Sequence, residues 1–211
     1  MLILAFEVLP RPGREADYFE LAAELKPALE ASGGLLHLDR SRSRLRQGWF
    51  LSHQAWLDES SMARWRSHPT HHGAQAYGRT EILADYRLRV GQVIANFDRS
   101  TSTEVEEYPL PHSAAYAHPR SARQRFILSA VSRGPLAINP AGAEVFDSVY
   151  DAGLQVSLAE VDDVQSGLAL VGGMAGEASL MAARLAIVSR DYGLSGRAEA
   201  PQYFEPVAGP Y

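Results

Sequence analysis

Along the first hundred residues the apolar positions change period several times, and each change marks an element. LILAFEVL, residues 2–9, is a nearly continuous apolar run that predicts a strand, ended by the turn RPG. Between Arg14 and Ser32, the residues Tyr18, Leu21, Ala22, Leu25 and Leu29 recur at helical spacing on one stripe. Pro27 is expected to bend this helix or end it early, and Gly33-Gly34 closes it. LLHLDRSRS and GWFLSHQAWL then predict the two strands of a hairpin. Asp58 is placed to cap the helix ESSMARWRSH, and Pro69 interrupts it before THHGAQAYGRTEIL continues. In residues 84–97, Tyr86, Leu88 and Val90 alternate with Asp85, Arg87 and Arg89, the pattern of a half-buried strand. Arg87 and Arg89 are expected to pair with Glu7 and Asp39 across the sheet. The element order is βαββαβ.

A polar, proline-containing link follows, and after it the same order can be drawn again. RFILSAVS predicts a strand, Pro140 opens a helix AGAEVFDSVYDA, and Gly153 stops it. LQVSLAEVDD and SGLALVGGM are expected to form a hairpin, GEASLMAARLAIVSRDYG a helix, and RAEAPQYFEPV a last strand. The halves share little residue identity, so the repeat is one of architecture. The predicted fold class is α+β: tandem ferredoxin-like βαββαβ units with antiparallel sheets. The first domain would span residues 1–99, a linker 100–124, and a second, degenerate ferredoxin-like domain 125–211. Helices cover one face of each sheet, so the other face needs a like unit against it. That unit is either the second half, giving an intrachain pseudo-dimer, or another chain in a homodimer, and the dimer is the favoured expectation.

Composition narrows the chemistry. The chain has 211 residues, 46% hydrophobic and 21% charged, which is an ordinary globular balance. It has no cysteine, which excludes thiolate catalysis, disulfides and iron–sulfur clusters. Lys and Arg number 13 against 12 Asp and Glu in residues 1–99, and 7 against 13 in residues 100–211. Neither half therefore looks like a binder of nucleic acid. The opening apolar run is too short for a signal-peptide core or a membrane span, so a cytoplasmic location is expected. VGGMAG near Gly172 lacks the spacing of a dinucleotide fingerprint.

Histidine and tryptophan are concentrated early. WRSHPTHHGAQAYGR, residues 65–79, carries three of the seven histidines within five positions, and from Arg125 onward there is neither residue type. A helical pair of His68 with His71 or His72 could hold a metal only with a third ligand from His53, Asp39 or Glu7, and Pro69 breaks the continuity such a pair needs. No metal is expected. Trp56 and Trp65 suit a core as well as a substrate platform.

LILAFEVLPRPGREADYFELAAEL, GWFLSHQAWLDESSMARWRSHPTHHGAQAYGR and ADYRLRV together resemble the antibiotic biosynthesis monooxygenase family of dimeric α+β barrel proteins. The shared pattern is a strand ending in an aromatic, an acidic turn, a tryptophan-containing helix, a histidine six residues later, an Ala-Gln pair, and Gly-Arg before a Tyr-containing strand. It covers about residues 1–97. The resemblance implies a barrel fold and cofactor-independent oxygenation of an aromatic or quinol-like molecule in an apolar pocket. It implies His71 as the catalytic histidine, with Trp65, Phe6, Tyr86, His68 and Gln75 around the substrate. Haem-degrading members carry an asparagine on the first strand and a more distant tryptophan; LILAFEVL has no asparagine, so haem is the lesser expectation. The rival reading is a non-catalytic barrel that binds a small apolar ligand or haem. The ligand pocket is expected within residues 1–97, with the C-terminal half structural.

Overall fold

A computed structural model describes residues 1–111 and 124–201. The first half follows the predicted order: β1 (Leu2–Pro10), α1 (Glu15–Ala31), β2 (Leu35–Ser43), β3 (Phe50–Trp56), α2 (Glu59–Arg66), α3 (Pro69–Tyr77), a π-helical turn (Gly78–Ile82) and β4 (Leu83–Asp98). The two-residue β5 (Glu106–Glu107) follows, then β6 (Phe126–Arg133), β7 (Glu144–Ser148), β8 (Leu154–Val161), α4 (Val164–Ala175) and β9 (Leu180–Gly193). His112 and His118 lie outside the described residues.

Within each half the antiparallel strands take the ferredoxin-like order, β4-β1-β3-β2 and β9-β6-β8-β7. Two seams join the halves. β2 pairs with β7 over Ser41–Ser43, and β4 pairs with β9 from Arg87 to Asp98. The sheet therefore closes on itself, and the closure that sequence left open between one chain and two is made within one chain.

Alternation along β1 sets what faces where. Ile3 and Ala5 point into the lumen, packing with Val93, Ile127 and Ala186 or with Leu51 and Phe146. Leu2, Phe6 and Val8 point outward to the helices, among Trp65, Tyr18 and Ile82. Glu7 also lies on the lumen side and is 4% exposed. It is ion-paired with Arg89 and with Arg46, and Arg46 reaches on to Glu144 of β7 at 2.6 Å. Arg87 pairs instead with Asp191 and Glu160, and Asp39 with the hydroxyls of Ser41 and Ser148. The expected arginine–acid pairing thus holds for Arg89 with Glu7 only.

Four predicted elements of the second half are corrected. The helix expected after Pro140 is absent, and the segment contains β7, whose Phe146 is fully buried in the lumen. A stretch of five residues, EVFDS, is too short for its period to be read, and its partners β2 and β8 decide its conformation. SGLALVGGM, expected as a strand, is the body of α4. Asp163 caps it by accepting from Ser166 N at 2.8 Å. Residues 180–193, expected as a helix, are β9. Ala182, Ala186 and Val188 fill the lumen while Ala183, Leu185 and Ile187 pack against α4, so both faces are apolar and no alternation shows. Gly167 lets α4 approach closely, since a Cβ there would sit 2.5 Å from the Leu185 side chain. The expected final strand is not present over Arg197–Pro201, and the remainder of that stretch lies outside the described residues.

In the first half, α1 runs through Pro27 without a break. Pro27 is exposed, so the carbonyl it frees one turn earlier can be satisfied by water. Among the described residues no helix is long and apolar enough to cross a membrane.

The Glu7–Arg89 pair gives a direct expectation. Glu7→Ala leaves the buried Arg89 guanidinium only the exposed Glu160, 3.3 Å away, and should cost about 3–5 kcal/mol, read as a lower urea midpoint at unchanged m-value. A loss below about 1 kcal/mol would match a solvated surface pair instead.

Candidate active site

The break at Pro69 builds the site. Asp58 starts α2 by accepting from Ser61 N at 2.7 Å, and one face of the helix buries Met62 and Trp65. Pro69 at the first position of α3 cannot extend α2, so the chain turns at Ser67 and His68. That turn folds His71 back over Trp65. The two rings stack with centroids 4.2 Å apart and 12° between planes, and His71 Nδ1 lies 3.0 Å from the Trp65 carbonyl oxygen.

The carbonyl can only accept, so Nδ1 carries the proton and Nε2 keeps its lone pair. Burial lowers the His71 pKa to about 4. The carbonyl contact opposes that shift, and the neighbouring His68 and His72 reinforce it. At neutral pH the ring is uncharged and fixed in one tautomer.

His71 stands where two lobes of a cavity meet between the β1–β3–β4 sheet and the helices. The outer lobe, about 140 Å³, has an apolar floor of Leu4, Phe6, Leu88 and Val90. Tyr86, Gln75, Arg66 and Arg79 also line it. The inner lobe, about 120 Å³, runs beneath α1 past Tyr18, Leu21, Leu25 and Leu29 to Arg40. Phe6, Gln54, Trp65, His71 and Leu83 line both.

The polar groups are held in place. The Tyr86 hydroxyl accepts from the guanidinium groups of Arg79 and Arg197, and Arg79 is positioned by the π-helical turn. Gln54 Oε1 accepts from Trp56 Nε1 at 2.9 Å and its Nε2 donates to Ser52 Oγ at 3.1 Å, which leaves one amide hydrogen to give. Gln75 Oε1 is buried with no hydrogen-bond partner among the described residues. Burial raises the Tyr192 phenol to about 12, so it is a neutral donor at physiological pH.

Of the residues expected from sequence, His71, Trp65, Phe6, Tyr86 and Gln75 all line the cavity. His68 lines neither lobe. As the residue before Pro69 it is held extended, at φ −62° and ψ 129°, and its ring rests against Trp65. His53, Asp39 and Glu7 face the lumen on the other side of the sheet, so none can share a metal with His71. Among the described residues no group of three or more metal-ligating side chains is found.

The expectation of a pocket made by residues 1–97 alone is corrected, because Arg190 and Tyr192 of β9 and Arg197 beyond it also line the outer lobe. Sequence reading missed them through the misassigned β9. It missed Gln54 and Arg40 too. The one signal available was that each is polar on a strand position whose neighbours two residues away include an apolar residue, Trp56 or Leu38.

The depressed pKa of His71 sets a pH dependence. The folded state resists protonation down to about pH 4 while the unfolded chain takes up the proton near 6.5. The stability that neutral His71 contributes is therefore complete above pH 6.5 and is lost as pH falls towards 4. His37 and His53 shift in the same direction by burial, so wild type should lose stability in acid through all three. Melting curves of His71→Gln should fall less steeply between pH 6.5 and 4 than those of wild type, and parallel curves would overturn this assignment.

Comparison with known proteins gives the chain's relatives. The family profile for antibiotic biosynthesis monooxygenase matches residues 1–77. A jasmonate monooxygenase of Pyricularia oryzae is 30% identical over 223 aligned residues, covering 99% of this chain and 100% of that protein. Among solved structures, a candidate antibiotic biosynthesis monooxygenase of Deinococcus radiodurans covers 44% of this chain and 91% of its own, at 18% identity and TM-score 0.39. A candidate monooxygenase of Fusobacterium nucleatum covers 89% and 90%, at 8% identity and TM-score 0.42. With a relative this similar along its whole length, the chain belongs to the antibiotic biosynthesis monooxygenase family.

Proposed function

We propose that this protein is a cofactor-independent monooxygenase that oxidises a compact aromatic or quinol-like molecule, with His71 as the base. The observation that carries the reading is the fixed tautomer. Nδ1–H is tied to the Trp65 carbonyl, so the Nε2 lone pair is the end of the ring left for a substrate proton, in an apolar cavity.

The chemistry balances without an added reductant. Nε2 takes a proton from the substrate carbon or its enol oxygen, and the resulting anion gives its electron pair to dioxygen to form a carbon-bound peroxide. Imidazolium returns the proton to the peroxide. The hydroperoxide then loses water, so a CH₂ group becomes a carbonyl, one oxygen atom is retained and the other leaves as water. The substrate supplies all four electrons.

Each fixed group has a part in this. A pKa of about 4 makes neutral imidazole a weak base, so ionisation needs the anion stabilised where it forms. Tyr86, held by Arg79 and Arg197, and the free amide hydrogen of Gln54 are donors suited to that charge. The apolar floor keeps water from quenching the anion. Haem is not favoured, because both lobes fall below the ~300 Å³ at which drug-sized sites begin.

Oxygen uptake should be followed with anthrones, naphthols, hydroquinones and, after the relative's name, jasmonate. His71→Ala should lower turnover by roughly 10²–10⁴-fold with the fold retained. His72→Ala, an exposed neighbour on the same helix, should change it little. Equal losses from both would point to helix disruption, and an unaffected His71→Ala would remove the base from the mechanism. No oxygen uptake with any member of the panel would favour the non-catalytic, ligand-binding reading.

A further inference from the structure

One residue lining the inner lobe carries a charge with no counter-ion among the described residues. Arg40 is 8% exposed, and its Nε makes no hydrogen bond. Its side-chain neighbours among the described residues are two phenols: the Tyr150 hydroxyl at 3.5 Å and Tyr18, whose pKa burial raises and Arg40 draws back. No carboxylate pairs with it among the described residues. The buried Arg89 and Arg184 also have an Nε without a hydrogen bond, but each has a carboxylate, Arg89 with Glu7 and Arg184 with Asp98. The adjacent Asp39 faces the lumen and is engaged by Ser41 and Ser148, while Arg42 has taken Glu15.

A buried guanidinium with an idle Nε, in the lining of a largely apolar cavity, is costly unless something negative completes it. A planar fork of this kind matches a carboxylate, whose two oxygens accept in parallel. We propose that Arg40 is the anchor for a carboxylate on the ligand, so that the substrate is an apolar acid bound with its carboxylate under α1 and its reactive end at His71.

This rests on the reading of the cavity as a substrate site, and it adds a specificity-determining residue and a chemical class to it. Arg40 lies on β2 opposite Ser52, which also lines the inner lobe, so the anchor sits on the rigid sheet rather than on a loop. Oriented this way, a bound acid would have its length fixed by the distance from Arg40 to His71. Acids of the wrong length would bind but present the wrong carbon.

The test is binding, measured by calorimetry on the full chain, with a panel of 4-phenylbutanoate, naphthylacetates and cyclic and straight-chain C8–C12 carboxylates, each paired with its methyl ester. At least one acid should bind tenfold or more tighter than its ester. Arg40→Met should remove that difference, and Arg40→Lys should keep part of it. Ligand-free Arg40→Met should melt at or above the wild-type temperature, because an uncompensated buried charge is removed. Acids that bind no better than their esters throughout the panel would overturn the proposal. So would an acid preference that survives in Arg40→Met, or an Arg40→Met protein that unfolds while Arg40→Lys is normal in stability and has no acid preference. Oxygen uptake separates the two readings: turnover of neutral substrates without acid preference sinks the anchor alone, and acid preference without turnover sinks the oxygenase alone.

Discussion

Everything in this fold depends on sheet closure. A four-stranded antiparallel sheet with helices on one side leaves an apolar second face and two unpaired edges, neither of which is stable in water. Here the second half supplies both missing surfaces. β7 and β9 take the open edges of β2 and β4, and Val131, Phe146 and Val156 meet Ala5 and Leu51 in the lumen. Closure also gives the cavity floor its rigidity, because Phe6, Leu88 and Gln54 stand on strands paired on both sides.

The lumen is not uniformly apolar, and the exceptions mark its ends. Glu7, Arg89, Arg46 and Glu144 tie both halves together at one end. Towards Asp98, Arg184 is joined by the buried His37 and His53. These groups lie behind the sheet from His71, so the protein keeps two polar systems apart by the thickness of a β-strand. Alternation along β3 does the separating: Leu51, His53 and Ala55 to the inside, Ser52, Gln54 and Trp56 to the helices.

What the sequence made legible follows from which elements carry one-sided patterns. α1 shows a stripe because one of its faces is wet, and β4 begins with an alternation because its lumen-side positions there are the charged Asp85, Arg87 and Arg89, so both were readable. β9 is covered on both sides and α4 has glycines where a helix would be marked by larger residues, so their periods are hidden. The same reasoning explains the site. Trp65, His71 and Gln75 stand out as aromatic and polar residues of one helical hairpin with a visible break at Pro69. Arg40 looked like one more arginine in DRSRSR, since only tertiary packing distinguishes it from Arg42, which reaches Glu15 at the surface. Arg190 and Tyr192 needed a strand register no local pattern could provide.

The short loop between β6 and β7, where the first half carries α1, breaks the symmetry of the barrel. A barrel made from two identical chains shows every residue twice and must hold two equal cavities, so any change that tunes one tunes the other. Fusion releases that constraint. Each position here occurs once, and the half without its first helix can give up its own cavity and lend Arg190, Tyr192 and Arg197 to the other. The residues that floor the cavity and those that close over it can then vary independently, a freedom that a symmetric dimer does not have.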